Sequence, residues 1–229
     1  MRCLIDGITH RGEGVARING KVAFIPFTIP GEEVEVEIVD EHARFSRGKI
    51  KQIVAPSPER TEPPCQYFYR CGGCAYQHVT YQQQLLLKKQ VVTDALQRIG
   101  QQEIAVQDVL GMEKPWQYRN KVTWQVGELQ GKKRLGYYQQ DSHQHLAINE
   151  CRLLAPEIMK FSQFLDRDLG AAGILRGKKV VIRQGSEDGK LLLIVEGPVN
   201  KEGLKCLVKD YPGLESLFIY ENHKLKHLF

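Results

Sequence analysis

The sequence predicts a small β-barrel of the OB type, followed by an α+β domain with a mainly antiparallel sheet and a four-cysteine metal site. Three observations carry this reading. Residues 1–55 contain four or five short runs that alternate apolar and polar residues between turn dipeptides. Residues 56–64, Pro-Ser-Pro-Glu-Arg-Thr-Glu-Pro-Pro, exclude regular structure, because proline removes a backbone donor and restricts its neighbour. From Cys65 onward, closely spaced cysteines introduce a segment in which helical and strand periodicities mix. The expected domains are a barrel over 1–55, a linker over 56–64 and an α+β domain over 65–229.

In the barrel, Val15–Ile18 and Lys21–Ile25 flank Asn19-Gly20, a dipeptide suited to the type I′ turn of a hairpin. Pro30-Gly31 marks a turn before Val34–Val39, where apolar and acidic residues alternate, and Gly48–Val54 supplies a last strand. Closure into a barrel removes the exposed edges that such short strands would leave.

In the second domain, Thr80 and Gln83 form a Thr-x-x-Gln capping box for a helix. That helix is expected to turn Leu85, Val92, Leu96 and Ile99 to one face and to stop at Gly100. Strands are expected over Tyr118–Val126 and Arg134–Tyr138, with Lys132-Lys133-Arg134 in a solvated turn. Pro156 starts a second helix with Ile158, Phe161, Leu165 and Leu169 inward and Gly170 at its end. Val180–Arg183 pairs with Leu191–Val195, Leu204–Val208 is helical, and Ser216–Tyr220 is a further strand.

Composition narrows the class. Apolar residues make up 42% and charged residues 26%, as in a folded globular protein. No apolar run approaches the roughly 18–20 residues that cross a bilayer, and charges interrupt the N-terminus where a signal peptide is apolar. A cytoplasmic location without membrane partners is expected. The net charge of +5 favours polyanionic partners only mildly.

The six cysteines are Cys3, Cys65, Cys71, Cys74, Cys151 and Cys206. Cys65-x5-Cys71-Gly-Gly-Cys74 brings three thiols within ten residues, and Cys71-x-x-Cys74 lets one tight turn aim two sulfurs at one metal. Gly72-Gly73 suits that turn, and Cys151 is the natural fourth ligand. A redox pair lacks its usual βαβ setting. His78 is a weaker ligand candidate, while Cys3 and Cys206 read as buried small hydrophobes. Spacing leaves zinc and an iron–sulfur cluster both open; the single Cys-x-x-Cys pair slightly favours the cluster, since zinc ribbons usually carry two.

These residues resemble a known family. Cys65-x5-Cys71-Gly-Gly-Cys74-x2-Gln77-His78 is similar to the iron–sulfur segment of bacterial RNA (uracil-5-)-methyltransferases, including those that form 5-methyluridine in 23S rRNA. Gly12-Glu13-Gly14-Val15-Ala16-Arg17, Phe24-Ile25-Pro26 and Pro30-Gly31-Glu32 look like that family's N-terminal TRAM domain, an RNA-binding barrel. Trp116-x-Tyr118-Arg119-Asn120-Lys121 and Cys151-x-Leu153-Leu154-Ala155-Pro156 resemble its central domain. The resemblance implies that Cys65, Cys71, Cys74 and Cys151 ligate a [4Fe-4S] cluster. It also implies RNA as partner, ribosomal RNA favoured and transfer RNA possible, with no DNA. S-adenosylmethionine would serve only the full-length family enzyme.

The family's chemistry needs a nucleophilic cysteine and a glycine-rich cofactor loop. No Gly-x-Gly-x-x-Gly occurs, and neither Cys3 nor Cys206 sits in the family's catalytic context. The expectation is therefore the RNA-recognition half of the enzyme, with the catalytic Rossmann-like domain, its catalytic residues and its cofactor site absent and no methylation by this chain alone. The alternative is a stand-alone iron–sulfur or zinc RNA-binding adaptor. Arg44, Arg47, Lys49 and Lys51 on the last barrel strands, with Trp116, Tyr118, Arg119 and Lys121, are the candidate RNA contacts: aromatics stack unpaired bases while cations hold phosphates.

Overall fold

The computed structural model describes residues 1–168, 178–209 and 211–229, of Asp168 the backbone only. Leu169 and Gly170, expected at the end of the second helix, lie outside the described residues. The chain divides into two compact units, Met1–Tyr69 with Cys74–Glu113, and Arg70–Gly73 with Lys114–Phe229.

The first unit holds β1 (Arg2–Leu4), β2 (Gly7–Ile8), β3 (Glu13–Ile18), β4 (Lys21–Pro26), β5 (Glu33–Glu41) and β6 (Phe45–Ala55). They form one sheet in the order β1-β5-β6-β4-β3-β2, antiparallel except where β4 runs parallel to β6. Alternation along the strands turns Ala16, Ile18, Ala23, Ile25, Val34 and Val36 inward with Cys3 and Ile5, and Ile38, Ile50 and Ile53 pack against them. Asn19 and Gly20 take φ of 52° and 79° between the paired Ile18 and Lys21, as a type I′ hairpin requires. β1 and β2, three and two residues long, give no periodic signal and were not expected.

The first helix, α1 (Tyr81–Asp94), belongs to this unit and buries Leu87 against Ile29 and Val79. Two expectations fail here. The capping box does not form, because the Thr80 hydroxyl donates to Glu59 Oε2 instead; Gln84 Nε2 secures the helix start by donating to the Tyr76 and Val79 carbonyls. The anticipated apolar face also fails, since Val92 is exposed and Ile99 is 84% exposed. A π-helical turn over Ala95–Ile99, closed by Gly100 N–H on the Ala95 carbonyl, breaks the 3.6-residue repeat that the reading assumed.

Among the described residues, the second unit is built on a seven-stranded sheet. Its strands are β7 (Lys121–Leu129), β8 (Lys132–Tyr138), β9 (His145–Ala147), β10 (Lys179–Gln184), β11 (Leu191–Glu196), β12 (Leu214–Glu221) and β13 (Lys224–His227), in the order β13-β12-β11-β10-β7-β8-β9. Among these described strands only β11 and β12 run parallel, and a parallel pair needs a crossover, which α3 (Lys201–Val208) provides. The Asn200 side chain caps α3 by accepting from Gly203 N–H at 3.0 Å. The helix α2 (Pro156–Asp168) sets Ile158, Phe161 and Leu165 into the core. There the buried Trp124 donates its indole N–H to Ser162 Oγ at 2.8 Å.

Two further expectations are corrected. The strand expected from Tyr118 starts at Lys121, because the backbone before it bonds elsewhere. Gln117 has φ of 58° and donates to the Arg152 carbonyl, while Arg119 exchanges bonds with Leu153 and Ala155. Lys132-Lys133-Arg134 opens β8 rather than forming a turn. Gln130 and Gly131, at φ of 51° and 75°, make that turn, and Arg134 pairs with Asp166 at 2.7 Å.

Candidate functional site

In the first unit the linker is not a loose tether. Glu32, with no exposed surface, accepts from Arg60 Nε at 2.6 Å and Nη2 at 2.7 Å, and from the Ile29 and Ser57 backbone N–H groups at 2.9 and 3.1 Å. Arg60 also donates to the Phe27 carbonyl at 2.8 Å. Burial alone would raise the Glu32 pKa; the Arg60 hydrogen bonds, the two backbone donors and the guanidinium charge hold it below its ordinary value. An Arg60–Val79 bridge, Thr61 N–H on the His78 carbonyl and Thr80 N–H on the Glu59 carbonyl then fasten this segment to the chain after Cys74. Sequence reasoning missed the pair because its partners are 28 residues apart and each reads as an ordinary surface charge.

His78, expected at the surface or hydrogen-bonded, is buried beside the rings of Phe27 and Phe68 at 6.2 and 5.5 Å between centroids. Neither ring nitrogen meets a well-aligned partner. Burial, reinforced by the Arg60 charge, lowers its pKa from 6.5 to about 4, with a Thr28 backbone group and Glu32 opposing. The depressed value means that the unfolded chain binds the proton first. Stability is full above pH 6.5 and falls as pH drops toward 4, by an amount on the order of 3 kcal/mol. His78→Phe is expected to flatten that slope, which urea unfolding at stepped pH measures; an unchanged slope would place its origin elsewhere.

Cys65 and Cys74 belong to the first unit and are half-buried; Cys71, buried, and Cys151, half-buried, belong to the second. Gly73 N–H approaches Cys71 Sγ at 3.4 Å, the contact a thiolate accepts. Among the described residues, no group of three or more His, Cys, Asp or Glu is arranged to hold a metal ion. The donor chemistry suits a soft metal or an iron–sulfur cluster. Cys3 is buried in the core of the first unit's sheet, and burial pushes its thiol pKa up. Cys206 corrects the expectation of a buried side chain: Leu204 and Val208 form the inward face of α3 and leave it exposed.

Of the expected RNA contacts in the first unit, Arg44, Lys49 and Lys51 are exposed, and Lys51 lies 3.9 Å from Glu37. Arg47 is committed to the buried Glu13 at 2.5 Å and lies over the Phe24 ring, 5.9 Å from its centroid. A row missed by the sequence reading runs beside it. Phe24 and Phe45 are 5.6 Å apart, and His42 stacks on Phe45 at 4.3 Å. Alternation on β4 and β6 carried the signal for Phe24 and Phe45, since it sends both rings to the face opposite the core. In the second unit Trp116, Tyr118 and Lys121 are exposed and Arg119 is half-buried, on backbone pinned to Arg152–Ala155, the segment that follows Cys151.

The TRAM domain family matches residues 1–51. The first five strands and most of β6 are thus similar to a TRAM domain. A Clostridium tetani protein described as an uncharacterized RNA methyltransferase is 34% identical over 93% of this chain and 49% of its own length. One of the same description from Halalkalibacterium halodurans is 34% identical over 96% of this chain and 51% of its own. The chain spans about half the length of these curated relatives. The crystal structure of the Pyrococcus abyssi tRNA (uracil-54, C5)-methyltransferase with S-adenosyl-L-homocysteine superposes with a TM-score of 0.62 at 20% identity, over 97% of this chain and 52% of that one. That likeness is one of fold. Together the matches support the RNA methyltransferase family. They do not bear out the expectation of an absent catalytic domain, because they describe only the matched half. No helix among the described residues is long and apolar enough to cross a membrane.

Proposed function

We propose that this chain recognises RNA within a cytoplasmic S-adenosylmethionine-dependent RNA uridine-C5 methyltransferase, and that 23S ribosomal RNA is its substrate. The observation that carries the reading is similarity over nearly the whole chain to proteins described as RNA methyltransferases, beginning with a TRAM match. Exposed Arg44, Lys49, Lys51, Trp116, Tyr118 and Lys121 supply the cations and rings that such recognition uses. The structural relative acts on tRNA by its name, so both RNA classes belong in the test.

We further propose that Cys65, Cys71, Cys74 and Cys151 hold a [4Fe-4S] cluster in a small OB-type barrel and α+β scaffold. Its role is to cross-link chain segments far apart in sequence, with no part in methyl transfer. Support comes from the soft-donor chemistry of four cysteines, the glycine pair between two of them and the Gly73 N–H contact to sulfur.

Anaerobically purified protein is expected to carry about four irons and four sulfides per chain. Cys74→Ser should lose them, and Cys206→Ser should keep them. One stoichiometric zinc without sulfide, or equal loss in both variants, defeats the cluster. For recognition, Lys49→Glu and Lys121→Glu are each expected to weaken binding to 23S rRNA fragments several-fold and to flatten its salt dependence. Tighter binding to tRNA would reverse the substrate assignment, and no binding to either would end the reading.

A further inference from the structure

We infer that the groove between α1 and strands β2–β4 receives an unpaired nucleobase of single-stranded RNA, and that the aromatic row beside it carries the neighbouring nucleotides. This rests on the RNA-binding reading and goes beyond it by naming the strand state, the subsite and its side chains.

The groove encloses about 740 Å³, within the range of a small-ligand site. Phe24 and Arg17 line it from the sheet, Leu86 and the amides of Gln83 and Gln90 from the helix, and Asp6 from the loop before β2. Leu86 is 59% exposed, an apolar side chain on a helix whose buried contact is made by Leu87. A flat aromatic solute is the ligand that covers a ring and a leucine while offering polar edges to amides. Gln90 Nε2 already donates to Asp94 at 2.8 Å, which leaves its carbonyl oxygen as an acceptor. Gln83 and Asp6 add the donor and acceptors that a base edge pairs with.

Charge separates base from phosphate. Arg17 and Arg98 in the lining are balanced by Asp6 and Asp94, so the groove is neutral overall and does not favour a phosphate. Exposed cations on the adjoining chain are Lys49 on β6 and Arg44 in the turn before it. From Phe24 the rings continue to Phe45 and His42, with the Arg47 guanidinium over Phe24. Rings next to cations form the platform that holds successive unpaired bases, whereas a duplex keeps its base faces covered.

The test uses the full chain and two fluorescent RNAs, an unstructured uridine-rich strand of about ten nucleotides and a hairpin duplex. Leu86→Glu sits on an exposed helix face and leaves the fold intact, which an unchanged thermal melt verifies. It and Phe24→Ala are each expected to weaken single-strand binding about tenfold while duplex binding holds. Leu110→Glu, at a site 97% exposed and outside the groove, is expected to bind as the parent does. Parent-like single-strand binding by Leu86→Glu, or equal loss for both RNAs, overturns the groove while RNA binding itself stands. A parent chain that binds neither RNA overturns both.

Discussion

Arg60→Ala is expected to destabilise the first unit by about 3–5 kcal/mol, because it strands a fully buried carboxylate. Glu32 would keep two backbone donors, Ile29 and Ser57 N–H, but lose both guanidinium bonds and the only charge opposing its own in the network described. The loss also frees the Phe27 carbonyl from its donor. Hydrogen exchange at amides of the first unit's sheet, such as Val36, reads this unit directly, and protection there is expected to fall with the variant. The double variant Glu32→Leu with Arg60→Leu should recover part of the loss, since no lone charge remains. Full recovery is not expected, because the Ile29 and Ser57 N–H groups then lack an acceptor. If Arg60→Ala melts like the parent, the linker is a tether after all.

The same pair fixes an acid limit. Glu32 has its folded pKa below the ordinary 4.5, so its contribution is complete above that value and disappears as pH falls through the lower folded one. The His78 slope lies higher, between 6.5 and about 4, so the two groups act in successive pH ranges. A His78→Phe chain should therefore stay flat to about pH 4.5 and then still lose stability in acid.

What could be read without coordinates was local. Asn19-Gly20, Pro30-Gly31 and the alternation in Val34–Val39 each encode their structure within a few residues, and each strand or turn is where those signals placed it. Helix α1 went astray because its stop depends on a π-turn and its burial on Ile29 and Val79, which composition does not announce. The fastening of the linker was hidden for a related reason: proline content excludes regular structure but says nothing of tertiary contacts, and Glu32 is distant in sequence. Among candidate site residues, cations were found by type, whereas the commitment of Arg47 to Glu13 and the ring row from Phe24 to His42 needed the register between β4 and β6. Cysteine spacing named plausible ligands, but pairing thiols from sequence-distant segments is a tertiary property.

Gly136→Ala is expected to damage the second unit as severely as Arg60→Ala damages the first. Gly136 is buried in β8, opposite Gln125 of β7 and Ala147 of β9. A Cβ there would sit 2.0 Å from the Leu146 carbonyl oxygen and 2.7 Å from His145 Nε2. A side chain could rotate away from such an approach, but a strand carbonyl cannot move without the strand. β9 must therefore lift, giving up its pairing with β8 and the Ile148 N–H bond to the Leu135 carbonyl. Overpacking costs about 1–3 kcal/mol when the neighbours can give, and a backbone neighbour puts this site at or above the upper end. Gly131→Ala is the matched comparison, since nothing lies within 4 Å of its Cβ and only its φ of 75° resists the change, at about 1 kcal/mol. Trp124 lies buried in the adjoining β7 and reports the outcome by fluorescence during urea unfolding. A midpoint for Gly136→Ala at or above that of Gly131→Ala would mean that β9 is not held where the pairing places it.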